Sequence, residues 1–455
     1  MIIPENILNY LDKYSVGDNW HINAAEYNEI DNVVVIPALA ETGQLFKTLA
    51  SLSGNAREEL AHTLVLCVIN NKSIHHAIPG EVEDNQITLR ILRDLIDGKM
   101  PDDGLLNNSL LLSMNKIFQN NLKMACVDAS SPGCEMPDKI GGVGLARKIG
   151  LDLALKVFNY NREGINLLFS LDADTLVATN YLEAVRAFFR KERAHAAVVE
   201  FMHQDAGNTD EQAAICCYEI FLRYYVLGLT YAGSCYAFHS IGSTMVCTPD
   251  AYTAVRGMNK RKAAEDFYFL DKLAKMKGVG TINTTRVYPS SRQSKRVPFG
   301  TGKRIVGFLE GGHSESEYVL YDPEVFLVLK KWLEYMSSCP DIDERVILTR
   351  AGEIYPLLEE YLREQRFQDI WRRLRKNSKS KPVLLKHFLV WFDGLKTLRL
   401  INYLTRNGMP PVDMFDAVRA LMNMMGKGFP VVTEPGKIPS LHVQFEILKC
   451  LRDSY

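Results

Sequence analysis

The stretch NLLFSLDADTLVATNYL, residues 166–182, places two acids directly after an apolar run. The part before the acids, 167–171, has the composition of a strand that is buried on both faces. Asp172 and Asp174 follow it with a single residue between them. The sequence therefore predicts a buried strand that ends in two neighbouring carboxylates.

Three other strand-like runs come earlier in the chain, and helix-like segments separate them. They are VVVIPALAE (33–41), HTLVLCVINNKS (62–73) and KMACVDASS (123–131). Strands that alternate with helices indicate a mainly parallel sheet. We therefore predict an α/β fold in which helices flank a mainly parallel sheet.

Polar residues collect where these strands end, at Glu41, Asn70, Asp128 and Asp172. Ligands of open parallel sheets bind beyond the carboxyl ends of the strands. Two carboxylates one residue apart can hold Mg²⁺ or Mn²⁺, because these cations prefer oxygen ligands. Short D-x-D triplets also occur as solvated acids in turns, so this pattern alone leaves both interpretations open.

The composition fits an ordinary globular protein of two or three domains. The chain has 455 residues, of which 47% are hydrophobic and 24% charged, and its net charge is −1. This balance gives no sign of a polyanionic partner, so we expect no nucleic acid. The nine cysteines form no C-x-x-C pair, which favours reduced thiols in a cytoplasmic protein.

The pattern of apolar residues also bears on membranes and domains. We find no uninterrupted apolar run of about 18 residues and no basic segment before an apolar core at residues 1–14, so we expect neither a transmembrane segment nor a signal peptide. After about residue 316 the periodicity is helical throughout. We predict an α/β domain over 1–315 and a helical C-terminal domain over 316–455.

A second acidic pair, Glu265 and Asp266, precedes a helix-like run in the segment 242–278. The dipole of a helix favours acids at its N-terminus, so a helix cap is one interpretation. The other is a general base, which must lie within hydrogen-bond reach of an attacking hydroxyl.

Together these segments resemble an inverting glycosyltransferase of family 2 with the GT-A fold. VVVIPALAE resembles the first nucleotide-binding strand, and GGVGLARKIGLDLAL (141–155) resembles the helix G-x-x-x-A-R-N-x-G-x-x-x-A. LLFSLDADT resembles the metal-binding D-x-D strand, and the segment that carries Glu265 and Asp266 resembles the acceptor side. The four occur in the family's order and cover roughly residues 30–310.

The resemblance implies a Rossmann-like nucleotide-binding half at about 30–175 and an acceptor half at about 176–315. The donor would be a nucleotide-diphosphate sugar, and the acceptor a sugar, a lipid-linked molecule or another small molecule. The sequence leaves the sugar and the nucleobase open. The donor-binding residues that the resemblance implies here are Pro37, Ala38, Glu41, Asn70, Arg147 and Asp172.

The resemblance implies that four acids take part in metal binding and glycosyl transfer. Asp174 would bind Mn²⁺ or Mg²⁺ between the donor phosphates, and Asp172 would contact the metal or the ribose. Asp266 would deprotonate the acceptor hydroxyl, and Glu265 would help to hold the acceptor.

The chain departs from the family pattern in three places. Asn70 and Asn71 end the second strand, where the family has an acid that binds the nucleobase. Lys148 stands in place of the usual asparagine after Arg147. No Q-x-x-R-W motif follows, so we do not expect a processive, membrane-embedded polymer synthase.

The sequence leaves the roles of two basic segments undecided. From Lys272 to Leu309 there are nine Lys or Arg residues and no acid. This segment is either a solvated loop or a lid in which Arg292 and Arg296 contact the donor diphosphate.

His313, and similarly His239, could be a late histidine ligand of the metal or simply a loop residue.

The second basic cluster, within 363–381, is either a solvated helix face or a site of peripheral contact with anionic lipid at the inner face of the membrane.

Two other functions remain open. A haloacid-dehalogenase-like phosphatase also begins with a strand and D-x-D, and Asp172 would then be the nucleophile. In this chain Thr175 falls one place too early for that motif, and we find no good copy of the later motifs. The other alternative is a non-catalytic protein that binds a nucleotide sugar.

Overall fold

The computed structural model divides the chain into two compact units. The first consists of Met1–Gln204 and Ser240–Ser290, and the second of Asp205–His239 and Ser291–Tyr455. The structure describes all residues except 1, 2, 18, 25–28, 72–75, 102–106, 293–300, 311–316, 339–341, 430, 432 and 455, and it does not describe the side chains of 301–305.

One mixed sheet forms the centre of the first unit, with nine strands in the described part of the chain. The strands are β1 Ile22–Ala24, β2 Asn32–Ala38, β3 Thr63–Asn70, β4 Met124–Ala129, β5 Leu167–Ser170, β6 Leu176–Val177, β7 Ala196–Phe201, β8 Met245–Cys247 and β9 Gly280–Tyr288. Their order across the sheet is β1-β4-β3-β2-β5-β8-β7-β9-β6. The α/β fold predicted from the sequence is thus confirmed.

The prediction of a mainly parallel sheet holds only for part of it. Strands β4, β3, β2 and β5 are parallel neighbours. The pairs β1–β4, β5–β8, β6–β9 and β7–β8 are antiparallel. The apolar runs of the sequence predict β2, β3, β4 and β5 but not β7 and β9, although these two have six and nine residues.

The parallel strands are apolar because both of their faces are covered. Every residue of β2 and β3 is buried, as expected for central strands between helical layers. Strand β2 continues one residue past Pro37, to Ala38, since proline lacks only the donor and keeps its carbonyl acceptor. β3 lies on one side of β2 and β5 on the other, so the crevice at their carboxyl ends is a switch point of the sheet.

Helices account for most of the remaining chain. They are α1 Glu5–Tyr14, α2 Thr42–Leu52, α3 Arg57–Leu60, α4 Pro79–Ile96, α5 Asn108–Gln119, α6 Val143–Ala154, α7 Tyr181–Glu192, α8 Thr209–Tyr231, α9 Pro249–Ala254, α10 Glu265–Lys277, α11 Thr301–Glu310, α12 Glu324–Ser338, α13 Glu344–Ile354, α14 Pro356–Glu364, α15 Phe367–Lys376, α16 Lys381–Trp391, α17 Gly394–Asn407, α18 Met414–Met424 and α19 Leu441–Arg452. Helix α4 begins at Pro79, because proline suits the first helical position.

The second unit packs helices around a core of its own. Helix α8 contributes Ile220 and Tyr224 to this core, and Trp332 and Phe388 come from α12 and α16. The unit contains residues 205–239 and 291–315 as well as the predicted helical domain, and the domain boundary at 315/316 stays a prediction.

Helix α8 is the one helix among the described residues that is long and apolar enough to span a membrane by length and composition alone. Most of its apolar stretch, 72%, is buried inside the protein, and core helices pass the same test.

Candidate active site

The carboxyl ends of β2, β3 and β4 are joined by side-chain amides. Asn85, on α4, accepts the backbone N–H of Ala40 at 2.8 Å and donates to the carbonyl oxygen of Asn70 at 3.1 Å. It also donates to the Asn71 side chain, which itself donates to the carbonyl oxygen of Ser130 at 2.9 Å. Asn70, Asn71 and Asn85, called the amide cluster below, are all buried.

The acid at the end of β4 closes a turn. Asp128 accepts the backbone N–H groups of Ser130 and Ser131 at 3.1 and 2.8 Å, and Arg93 donates to it at 3.0 Å. Its carboxylate therefore has the bonding of a turn acid, and we assign it no direct part in a site.

A second group of side chains centres on Arg147 of α6, which is 2% exposed. Its guanidinium donates to Ser170 Oγ at 2.7 Å and to Glu265 Oε1 at 3.2 Å, and it also binds Asp172 Oδ1. One arginine thus links the acid after β5 to the first residue of α10. Arg147, Asp172, Glu265 and Asp266 are called the charge cluster below.

Arg147 and its two carboxylate partners stabilise one another's charges. Burial alone would lower the pKa of Arg147, but Asp172 and Glu265 outweigh it and hold that pKa above its ordinary value. Ser243 donates its hydroxyl to the other carboxylate oxygen of Asp172 at 2.5 Å. Both oxygens of Asp172 therefore accept hydrogen bonds from the chain itself.

Two glycines make room for this arrangement. A Cβ at Gly242 would overlap the guanidinium of Arg147. A Cβ at Gly144 would overlap the carbonyl oxygen of Arg261 and lie 3.0 Å from the Cβ of Glu265. Gly242 therefore leaves room for the guanidinium, and Gly144 allows α6 to approach the loop before the acidic pair.

Asp266 lies in the first turn of α10, after Ala264 with φ of 58°. Burial, followed by the charge of the neighbouring Glu265, raises the pKa of Asp266 to about 7 against the opposing effects of the Phe267 N–H and Arg147. The side chain nevertheless keeps partial contact with solvent. A half-buried carboxyl that titrates near neutral pH has the properties of a general base.

Asp174 lies beyond the charge cluster on the segment between β5 and β6. Its carbonyl oxygen accepts from Gln204 at 2.9 Å, and its side chain is half-buried. No group of three or more His, Cys, Asp or Glu residues that could hold a metal occurs among the described residues. Mg²⁺ is commonly held by one or two carboxylates plus substrate phosphates, so Asp174 suits a site that the substrate completes. At Asp172 a cation would have to displace Arg147 or Ser243, since both oxygens already accept hydrogen bonds.

The other predicted site residues lie in several places. Pro37 and Ala38 are buried in β2, and Glu41 stands directly before α2. Arg292 belongs to the second unit. Arg296 and His313 lie outside the described residues.

The alternative metal ligand, His239, belongs to the second unit, where burial and then the charge of Arg223 lower its pKa to about 3.

The departure at Lys148 has a structural explanation. Its ammonium donates to the hydroxyl of Tyr10 at 2.7 Å and contacts Asp152 at 3.0 Å. Tyr252 donates to the same carboxylate at 2.7 Å. Lys148 thus ties α1 and α9 to α6 in a buried network, and burial lowers its pKa against the attraction of Asp152.

Sequence reasoning missed Ser170, Ser243 and Asn85. A serine at the end of an otherwise apolar strand was a usable signal for Ser170, whereas Asn85 stands in an ordinary polar helix segment and gave none.

No protein-family model matches the chain, and no curated protein matches it. Among solved structures, TarS residues 1–349 from S. aureus has a TM-score of 0.33 at 12% identity, over 74% of this chain and 92% of that one. The same protein in complex with UDP-GlcNAc has a TM-score of 0.34 at 11% identity, with the same coverage.

A third solved structure is the mannosyltransferase PcManGT from Pyrobaculum calidifontis in complex with GDP-Man and Mn²⁺. It has a TM-score of 0.35 at 11% identity, over 98% of this chain and 92% of that one. Structural similarity this weak does not assign a function to the chain. Any functional assignment therefore rests on the contacts described above.

Proposed function

We propose that the chain is an inverting glycosyltransferase of the GT-A, family 2-like type, which moves a sugar from a nucleotide-diphosphate sugar to an acceptor hydroxyl. The observation that carries the proposal is Asp266, a half-buried carboxyl with a pKa near 7. It shares the Arg147-centred cluster with Asp172, at the carboxyl edge of the parallel strands, where ligands of such sheets bind.

Asp266 is the proposed base. It takes the proton of the acceptor hydroxyl as the oxygen forms a bond to the anomeric carbon. The bond from that carbon to the donor phosphate breaks, and its electron pair leaves with the nucleoside diphosphate. Attack from the face opposite the leaving group inverts the anomeric centre.

Glu265 is the proposed acceptor-holding acid, and Arg147 positions Glu265 and Asp172. Because the guanidinium already binds Glu265 and Asp172, it orients the carboxylates without having to contact substrate.

The amide cluster and the residues after β2 form the proposed donor side. An amide offers both a donor and an acceptor to a nucleobase, so Asn70 suits this contact without the charge of the family's acid. Asp174 is the proposed carboxylate of a Mn²⁺ or Mg²⁺ site. A cation held there would offset the charge that builds on the leaving diphosphate.

The phosphatase alternative requires Asp172 as a nucleophile. Its two carboxylate oxygens bind Arg147 and Ser243, which disfavours attack on phosphorus. A non-catalytic nucleotide-sugar binder would share the amide cluster but would have no use for a base of raised pKa.

Turnover of a panel of nucleotide sugars, measured on Asp266→Asn against wild type, tests the proposal. We expect kcat to fall about 10²–10⁴-fold, since the amide cannot accept the proton, while donor affinity stays within a factor of a few. In wild type, kcat/KM should rise with pH up to about 7 and then level off. Asp250→Asn, an exposed acid in the first turn of α9, is the matched control and should keep full activity.

Donor binding should be followed in the same variants by thermal unfolding with UDP, GDP, CDP and dTDP, each with and without Mn²⁺. Bound nucleotide with unchanged turnover in Asp266→Asn would assign the reaction to another base. Binding without turnover in wild type would favour the non-catalytic alternative, and release of inorganic phosphate would favour the phosphatase.

A further inference from the structure

The second unit carries a segment whose charge differs sharply from that of the rest of the chain. Residues 366–390, from Arg366 to Val390, contain eight Lys or Arg residues and one acid, Asp369. The segment therefore has a net charge of +7 (8 − 1), in a chain whose net charge is −1. The remaining residues together carry −8 (−1 − 7).

Most of this charge faces solvent and has no carboxylate partner among the residues that the structure describes. Arg372 is neutralised, because it binds the buried Glu344 at 2.6 Å. Six other basic side chains of the segment are exposed, and no carboxylate of the described residues lies within 4.0 Å of them. These six, called the basic face below, are Arg366, Arg373, Lys376, Lys379, Lys381 and Lys386.

Helix α16, which carries Lys386, has apolar residues on both of its sides. Leu384 and Phe388 are buried in the core of the second unit. On the opposite side Val383 and Val390 are 37% and 38% exposed, with Lys386 between them. A helix at the surface of a globular domain normally turns a polar face to water. The outward stripe of α16 instead alternates valine, lysine and valine.

We propose that the basic face and the outward stripe of α16 form one surface that docks on a bilayer of anionic lipids. Exposed apolar side chains among lysines and arginines are the composition of elements that lie in the interface of a membrane. The apolar side chains enter the headgroup region, while the cations bind the lipid phosphates. Nucleic acid fits this surface less well, because single strands need exposed aromatic rings for stacking and the outward stripe offers valines.

Co-sedimentation of the full chain with vesicles tests the surface. Vesicles of phosphatidylcholine alone are compared with vesicles that also contain phosphatidylglycerol. We expect binding only to the anionic vesicles and weaker binding as the salt concentration rises. Lys379→Gln/Lys386→Gln should weaken this binding roughly 30-fold, at about fivefold for each charge removed near an anionic surface.

The apolar part of the surface has its own variant. Val383→Ser/Val390→Ser should weaken binding at low and at high salt alike, because the loss of apolar contact is not screened. The matched controls are Arg190→Gln/Lys191→Gln on α7, which removes two exposed charges elsewhere, and Leu112→Ser on α5, whose leucine is 71% exposed. Both controls should bind the vesicles as wild type does.

Several outcomes would overturn the proposal. Equal binding to neutral and anionic vesicles, no binding to either, or equal losses in the controls would each do so. Tight binding to single-stranded RNA that is unaffected by Val383→Ser/Val390→Ser, together with weak binding to vesicles, would reassign the surface to nucleic acid. Thermal unfolding of every variant verifies that none of these losses comes from misfolding.

Discussion

The amide cluster and the charge cluster lie in the same unit and have the same structural role, but they differ in chemistry. Both join loops at the carboxyl ends of strands to a neighbouring helix through buried side chains. Asn85 does so from α4 with neutral hydrogen bonds, and Arg147 does so from α6 with ion pairs. Neutral contacts persist at any pH, whereas ion pairs depend on the protonation of each carboxylate. The first cluster suits a rigid binding wall, and the second suits proton transfer.

The largest expected effect on stability follows the loss of Arg147, the cation that Asp172 and Glu265 share. Arg147→Met leaves Glu265 buried without its partner and removes a donor to Asp172. Breaking a buried pair in this way costs about 3–5 kcal/mol of unfolding free energy. Urea unfolding at neutral pH measures the loss.

Arg93→Met is the control for that measurement. The side chain of Arg93 is 47% exposed and pairs with Asp128, so its loss should cost at most about 1 kcal/mol. Equal costs for the two variants would mean that Arg147 is no more than a surface ion pair in energetic terms.

A smaller effect, of opposite sign, is expected at Asp266. Folding raises its pKa from 3.8 to about 7, so the folded state prefers the protonated acid. The stability from this preference is present below pH 3.8 and is lost as the pH rises through about 7. Asp266→Asn should therefore raise the unfolding free energy at pH 8 by about 2–3 kcal/mol, after a discount for partial exposure, and change it little at pH 4.

Urea unfolding of Asp266→Asn and wild type at several pH values checks this sign. A variant that is equally stabilised at pH 4 and pH 8 would show that packing, and not ionisation, causes the gain.

The smallest effect is expected in the amide cluster. Asn85→Ala removes the acceptor of the Ala40 N–H and the donor to Asn70, and it should cost about 1–2 kcal/mol. The loss should be the same at pH 5 and pH 8, because no member of the cluster titrates. Unfolding at both values measures it, with the exposed Asn161→Ala as a control that should lose almost nothing. A pH-dependent loss would contradict the contrast between the clusters.

Local sequence patterns revealed much of the sheet and some of the acids. The apolar runs predicted β2, β3, β4 and β5, and the breaks in those runs marked Asp172 and Asn70 as residues at strand ends. No local sequence pattern indicated the contacts between elements. Arg147 meets Glu265 across 118 positions of sequence, and Asn85 meets Ala40 across 45. Only the folded chain decides such pairings, because neither residue's neighbours in sequence predict its partner.

The two loops that carry the proposed donor and acceptor sides share a backbone feature. Ala40 has φ of 50° and Ala264 has φ of 58°, a left-handed conformation that costs an alanine about 1–2 kcal/mol compared with a glycine. Glycine at either position would relieve this strain, but it would also widen the range of conformations open to the loop. The alanines therefore restrict each loop to fewer conformations. The chain thus loses conformational freedom beside Asp266 and Asn85.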